Sequence, residues 1–131
     1  MDPSDSSIVT LSAILAARDL LSGVLQPTPM LESRAAARVV RRATGVNLAD
    51  ATLLLKAEHL QVTGSFKPRG ATNRIRHLDE AARRAGVIAI SAGNHAQAVA
   101  WAARAAGVHA TAVMPLHAVR AKVEATRSYG A

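Results

Sequence analysis

The sequence has no cysteine and very few aromatic residues. Zero cysteines among 131 residues exclude disulfides, thiolate metal sites and a cysteine nucleophile. The aromatic side chains are limited to Phe66, Trp101 and Tyr129, so a core must come from alanine, valine, leucine and isoleucine. So few rings also leave no stacking platform for single-stranded nucleic acid. A hydrophobic share of 50% still predicts a folded chain, because enough apolar surface can be buried.

Acidic residues are scarce as well. There are nine Asp and Glu residues and 16 Lys and Arg residues, which gives a net charge of +7. A basic chain makes nucleic acid and an anionic membrane partners to be considered. The densest basic group falls at helical spacing and contains Arg34, Arg38, Arg41 and Arg42. That spacing is typical of a solvated helix face, so nucleic acid is kept only as a minor hypothesis.

Long uncharged apolar segments are missing too. The longest apolar stretch, residues 96–115, is interrupted by Arg104, Gly107 and His109, which is not typical of a membrane span. Residues 1–7 carry two aspartates and no basic group, unlike a signal peptide. We expect a soluble, cytoplasmic protein with no membrane partner.

Hydrophobic spacing predicts alternating strands and helices. Helices are predicted over residues 7–25 (capped by serines), 32–42, 67–85, 95–106 and 119–129. Strands are predicted over residues 52–56, 87–90 and 109–114, the first two of them buried. Gly45, Gly86 and Gly107 stand where helices should end. Strands that alternate with helices through short loops are typical of crossovers over a parallel sheet. The predicted fold class is therefore α/β, a parallel sheet with flanking helices.

Two loops fall at the carboxyl ends of predicted strands, where parallel sheets bind ligands. Residues 63–71 put Lys67 at a helix start, where the macrodipole favours a free amine able to form a Schiff base. Residues 91–97 are small and open a helix whose amides suit a carboxylate. A surface lysine and a plain strand-to-helix turn explain the same two loops. His95 has no second ligand-type residue at metal spacing, so no metal is expected.

Both loops together resemble the fold-type II pyridoxal-phosphate enzymes, in particular the serine/threonine dehydratases (threonine ammonia-lyases). The segment GSFKPRGA at residues 64–71 is similar to their cofactor-lysine motif, and SAGNHAQ at residues 91–97 is similar to their substrate-carboxylate loop. Shorter similarities occur at residues 27–30, 58–61, 114–115 and 122–131. The resemblance implies a tryptophan-synthase-β-like fold and pyridoxal 5'-phosphate as the cofactor.

The resemblance also implies roles for individual residues. Lys67 would hold the cofactor as a Schiff base and, once displaced by the substrate amine, would remove the α-proton. Asn94 would contact the cofactor's 3-hydroxyl, and Phe66 would pack near its ring. The substrate carboxylate would be held by Ser91, Gly93, Asn94 and His95. The implied reaction is elimination from L-threonine or L-serine to a 2-oxo acid and ammonia.

Val62, in the place of a common proline, and Pro68 depart from the family pattern, and Ala92 helps to choose within the family. Ala92 stands where serine racemases carry a hydroxyl residue that protonates the opposite face, which favours a dehydratase over a racemase-like isomerase. Pro68 follows the lysine where an aliphatic residue is usual. A proline there should bias Lys67 away from the α region.

Members of that family are considerably longer than this chain. We therefore expect an N-terminal fragment, inactive alone, in which residues 1–86 belong to the large cofactor domain and residues 87–131 to the smaller substrate-binding domain. The full-length protein would bind a small amino-acid substrate and form a homo-oligomer. The alternative is a truncated, non-catalytic remnant that acts as an interaction or anion-binding protein.

Overall fold

A computed structural model describes residues 9–46 and 53–131. In chain order the elements are α1 (Leu11–Leu21), β1 (Met30–Glu32), α2 (Arg34–Thr44), β2 (Leu54–Lys56), α3 (Lys67–Arg76), α4 (Glu80–Ala85), β3 (Val87–Ile90), α5 (Asn94–Ala105), β4 (Ala110–Val113) and α6 (Arg120–Ser128). Two 3-10 turns, Glu58–Leu60 and Val62–Gly64, lie between β2 and α3.

The centre of the fold is a strand–helix–strand unit formed by β3, α5 and β4. The two strands are parallel and in register from Val87 opposite Ala110 to Ile90 opposite Val113. A parallel pair needs a crossover connection, and α5 supplies it. This unit has the predicted α/β architecture, with helices flanking a parallel pair of strands.

Small aliphatic side chains form the core around α5. The buried cluster contains Ala71, Ile75, Ala89, Ala98, Val99, Ala102, Ala103, Val108 and Ala110. Alanine side chains let α3 and β3 pack closely against α5. Trp101 packs only at the edge of this cluster, so the prediction of an aliphatic core is confirmed for the described residues.

The strand predicted at residues 52–56 is neither buried nor part of the parallel sheet. It forms as β2 and pairs antiparallel with β1, which the spacing did not predict. Leu54 and Leu55 remain 47% and 48% exposed. A short apolar run does not specify its partner strand. Here the partner is β1, the strand just before α2. Residue 52 lies outside the described residues.

The helix predicted over residues 67–85 is two helices. α3 ends at Arg76, and Asp79 caps α4 by accepting a hydrogen bond from the Ala82 amide at 2.8 Å. An aspartate cap satisfies a free amide and so favours a new helix start. Gly86, at φ +85°, ends α4 as predicted.

The remaining elements match their predictions within a few residues, with one correction at β3. α1 begins after Thr10, whose side chain caps it; the serines expected to cap this helix, at residues 4, 6 and 7, lie outside the described residues, as does residue 8. β3 is covered on one face only, because Ala89 is buried while Ile88 and Ile90 are 73% and 82% exposed.

Candidate functional site

Lys67 is the first residue of α3, and Pro68 follows as the second. The expected bias of Lys67 away from the α region is therefore wrong. A proline in the first turn removes an amide that has no intrahelical acceptor there. Its ring is also fully buried, and this packing favours the observed helix start.

The Lys67 amine lies over the neighbouring aromatic ring. Its Nζ is 4.9 Å from the centroid of Phe66, within the range of a cation–π contact. Lys67 is half-buried, whereas Phe66 is 58% exposed. An amine and an open aromatic face are thus presented together at the start of α3.

A cavity of about 280 Å³ joins this lysine to the second predicted loop. It is lined by Phe66, Lys67, Arg69, Gly70, Ala71 and His95. The helices α3 and α5 bring these residues together, because the two helices pack against each other and share one buried cluster that contains Ala71 and Ala98. Apart from its chain neighbours and the backbone of its own helix, no atom of the described residues lies within 4 Å of where a Gly70 Cβ would be, which keeps this wall open.

The second loop turns the chain from β3 into α5. The Ser91 amide donates to the carbonyl of Val113 at 3.1 Å, and the Gly93 amide donates to the Ser91 hydroxyl at 3.3 Å. Asn94 and His95 open α5 with exposed side chains. Within the described chain no side chain caps this helix start, so its first amides are left without a side-chain acceptor, as an anion site requires.

Of the predicted site residues, the structure brings Phe66, Lys67 and His95 to one cavity. Ser91, Gly93 and Asn94 are not part of its described lining. They lie just before or at the start of the helix that carries His95. The two predicted loops are therefore adjacent, with His95 as the residue that links them.

Lys122 is a neighbour of this loop that the sequence analysis missed. Its Nζ would lie 3.2 Å from a Cβ added to Gly93. The ammonium thus stands beside the start of α5, where it adds positive charge to that of the helix. In the sequence, this region was noted only for the family-like segment at residues 122–131. Nothing in the spacing of its residues indicates that Lys122 lies near Gly93.

A second feature that the sequence analysis missed is a salt bridge beside the lysine. Arg69 donates from Nε and Nη2 to the two carboxylate oxygens of Glu58, each at 2.8 Å. These hydrogen bonds hold the pKa of Glu58 below its usual value, helped by the Thr28 hydroxyl and the charge of Lys56 and opposed by burial. The same pairing raises the pKa of Arg69.

The residues around the cavity fit the reactive end of an aldehyde-bearing aromatic cofactor. They supply a primary amine, an aromatic face and an open wall at Gly70. The Ser65 hydroxyl, two residues before Lys67, is buried without a hydrogen-bond partner among the described residues. A buried polar atom without a partner is costly in a protein interior, and this one belongs to the residue before Phe66, which lines the cavity, so it is consistent with a polar ligand group.

Other classes of site receive no support from the described ranges. Across residues 9–46 and 53–131, no helix is long and apolar enough to cross a membrane. The same residues contain no group of three His, Cys, Asp or Glu side chains that could hold a metal ion.

Comparison with known proteins gives one consistent family. The family model described as pyridoxal-phosphate dependent enzyme matches residues 21–131. The chain is 48% identical over 118 residues to the L-threo-3-hydroxyaspartate ammonia-lyase of a Pseudomonas species, covering 90% of this chain and 34% of that relative. It is 41% identical over 124 residues to the catabolic L-threonine dehydratase of Staphylococcus aureus, covering 95% and 34%.

The fold has solved neighbours as well. The serine racemase from Dictyostelium discoideum matches with a TM-score of 0.77 and 37% identity, covering 94% of this chain and 38% of that chain. The chain thus spans about a third of the length of the curated relatives it matches.

Proposed function

Because this chain belongs to the family of pyridoxal-phosphate-dependent enzymes, we propose that the whole protein is a lyase acting on a small β-hydroxy amino acid. It would remove the β-hydroxyl and release a 2-oxo acid and ammonia. The family uses pyridoxal 5'-phosphate, so the predicted cofactor and fold class are confirmed. The single observation that supports the proposed reaction is the cavity shared by Lys67 and His95.

We assign to Lys67 the attachment of the cofactor and the removal of the substrate's α-proton. When bound, pyridoxal phosphate supplies an electron sink for bonds broken at the substrate α-carbon. Lys67 takes the proton from that carbon, which requires an amine held close to it. The half-burial of Lys67 and its contact with Phe66 support this assignment. Phe66 is assigned to the cofactor ring and Asn94 to its 3-hydroxyl.

We assign the substrate carboxylate to the loop that starts α5. The residues proposed to hold it are Ser91, Gly93, Asn94 and His95. An uncapped helix start and the Lys122 ammonium both favour an anion at this place. A carboxylate held there fixes the direction of the α C–H bond relative to the Lys67 amine.

The proposed substrate class is β-hydroxy amino acids. L-threonine and L-serine are the first candidates, and one relative is a catabolic threonine dehydratase. L-threo-3-hydroxyaspartate joins them because the relative at 48% identity is named for it. Elimination of the β-hydroxyl gives a 2-oxo acid and ammonia from each of the three.

A racemase-like isomerase is the second candidate, supported by the likeness to serine racemase. Ala92 is exposed in the loop before α5. Its methyl group has no proton to deliver to the opposite face of a substrate, which favours the lyase.

Several expectations about the whole protein remain proposals. They are a homo-oligomer, a cytoplasmic location, and a division into cofactor and substrate-binding domains at residue 86. The non-catalytic, anion-binding remnant remains the alternative for a protein that does not turn over.

Product analysis with the whole protein tests the proposed reaction. With pyridoxal phosphate added, ammonia and 2-oxo acid are measured for the three β-hydroxy amino acids and for L-alanine, which has no β leaving group. We expect release from at least one β-hydroxy substrate and none from alanine. Loss of the optical activity of serine without ammonia would support the isomerase. No binding of cofactor or substrate would support the remnant.

A further inference from the structure

The first turn of α3 carries two cations and no acid. Lys67 and Arg69 lie at the end of the helix where the macrodipole is positive. The phenyl side chain of Phe66 does not cap this helix. Such a start is electrostatically unfavourable unless another segment supplies a negative charge.

Glu58 supplies that charge from the 3-10 turn Glu58–Leu60. Its side chain is 18% exposed and that of Arg69 is 31% exposed, so the pair is partly shielded from water. The pairing is bidentate, which holds a guanidinium in direction as well as in distance. The Thr28 hydroxyl donates to the same carboxylate at 2.5 Å.

The pair also attaches α3 to the segment before β1. Arg69 Nη2 lies 3.3 Å from the Gln26 carbonyl and 3.3 Å from the Thr28 hydroxyl. The side-chain Nε2 of Gln61 donates to the same Gln26 carbonyl at 2.7 Å. Lys56 donates to the Thr28 carbonyl. Residues distant in sequence thus converge on the first turn of α3.

This turn is the one that carries the lysine. Arg69 lines the same cavity as Lys67, and its amide donates to the Phe66 carbonyl at 3.1 Å. Movement of Arg69 would therefore move the backbone on both sides of Lys67.

We propose that Glu58 and Arg69 are positioning residues, whose ion pair fixes the first turn of α3 and keeps the Lys67 amine at its cavity. The inference rests on the proposed function, because Lys67 is taken as the residue that holds the cofactor. Neither Glu58 nor Arg69 is assigned a direct part in the reaction.

The test measures covalent attachment of pyridoxal phosphate to Lys67 in the whole protein, by visible absorbance and by peptide mass after borohydride reduction. Glu58→Gln keeps the side-chain shape and removes the charge. We expect the rate of cofactor attachment at saturating cofactor to fall about tenfold or more, because small misplacements of a reacting group slow its reaction by such factors. Circular dichroism should show an unchanged folded fraction.

Conservative variants separate positioning from general stability. Glu58→Asp keeps the carboxylate and should recover part of the attachment rate. Arg69→Lys keeps the charge but cannot make the bidentate contact with Glu58, so its attachment rate should stay below that of the wild type. Glu80→Gln is the matched control, because it breaks the exposed pair of Arg84 and Glu80 on α4 and should leave attachment unchanged.

A folded Glu58→Gln protein that attaches the cofactor at the wild-type rate overturns the proposal, even if its melting temperature is lower. If Glu58→Gln does not fold, Arg69→Lys and Thr28→Val decide by the same measurement, and wild-type rates in both overturn it. No attachment to Lys67 in the wild-type protein refutes the proposed function, and this inference with it. The two failures are therefore distinguishable.

Discussion

At Gly93, the amine of a distant lysine meets the start of α5. The backbone there, at φ −157° and ψ −136°, does not have the positive φ that favours glycine. An added Cβ would meet only the flexible end of Lys122, which can shift. Glycine at this position is therefore not required by the fold. Its absence of a side chain instead leaves room beside the amides that we assign to the substrate carboxylate.

Gly93→Ala should consequently separate binding from stability. We expect the free energy of unfolding to change by less than about 0.5 kcal/mol. The methyl group should raise KM for the amino-acid substrate by about tenfold, the loss of roughly one hydrogen bond to a charged group. Steady-state kinetics and urea unfolding give the two values. Lys122→Met should raise KM as well, and unchanged KM in both variants would contradict the assigned carboxylate site.

Glu58 should make stability depend on pH. Its pKa is lowered from the usual 4.5, so the native carboxylate stabilises the fold above that value, and the stabilisation is lost as pH falls through the lower folded pKa. Arg69, which faces it and whose pKa is raised by the pairing, stays charged throughout this range. Protonation of Glu58 is therefore the change that matters.

Glu58→Gln should lower the free energy of unfolding by about 1–2 kcal/mol at neutral pH, because it weakens hydrogen bonds to a charged partner. The difference from wild type should stay constant above about pH 5 and shrink below about pH 4. Urea unfolding across this range provides the measurement. A difference that persists unchanged to the acid limit would show that Glu58 does not carry the charge effect.

Individual contacts were less predictable than the residues that meet at the cavity. The resemblance singled out Lys67 and His95, and the structure places both at one cavity. The pairing of Glu58 with Arg69 joins a 3-10 turn to a helix. Nothing in the local sequence specifies that geometry, because it depends on how the chain folds back between the two residues.

Among the elements, the junction between α4 and β3 depends most strictly on one residue. Gly86 adopts φ +85°, and an added Cβ would lie 2.8 Å from the carbonyl oxygen of His109. That carbonyl is fixed, because it accepts the Val87 amide at 2.9 Å. A side chain at residue 86 would therefore have to move backbone.

Gly86→Ala should lower the free energy of unfolding by about 1–3 kcal/mol, through backbone strain and the close contact. Gly70→Ala is the matched control. It lies inside α3 with open space around a new Cβ, so the helix should be unchanged or stabilised by up to about 1 kcal/mol. Thermal unfolding compares the two variants. Equal melting temperatures would contradict the role given to Gly86.

Element types were predictable where the hydrophobic pattern was long, as in α5. The break between α3 and α4 had a signal in Asp79, an N-cap residue that the continuous pattern obscured. β1 had none, because three residues are too few to show a period. The pairing of β2 therefore could not be predicted from its own sequence.

For the whole molecule, the make-up of the core was easier to predict from the sequence than the pairing of the strands. Few aromatics implied an interior of alanine, valine, leucine and isoleucine, and the buried cluster around α5 consists of alanine, valine and isoleucine. The antiparallel pairing of β1 with β2 was not predictable in the same way, because it is set by packing between distant segments. The core matters for function, since the close packing of α3 on α5 brings the two candidate loops together.

The central claim is that Lys67 carries the cofactor, and identifying the modified lysine tests it most directly. The sequence contains three lysines, Lys56, Lys67 and Lys122. The whole protein is incubated with pyridoxal phosphate, reduced with borohydride, digested and analysed by mass spectrometry. The cofactor mass should appear on the Lys67 peptide and disappear in Lys67→Ala. Cofactor on Lys56 or Lys122 alone, or undiminished attachment in Lys67→Ala, would contradict the claim.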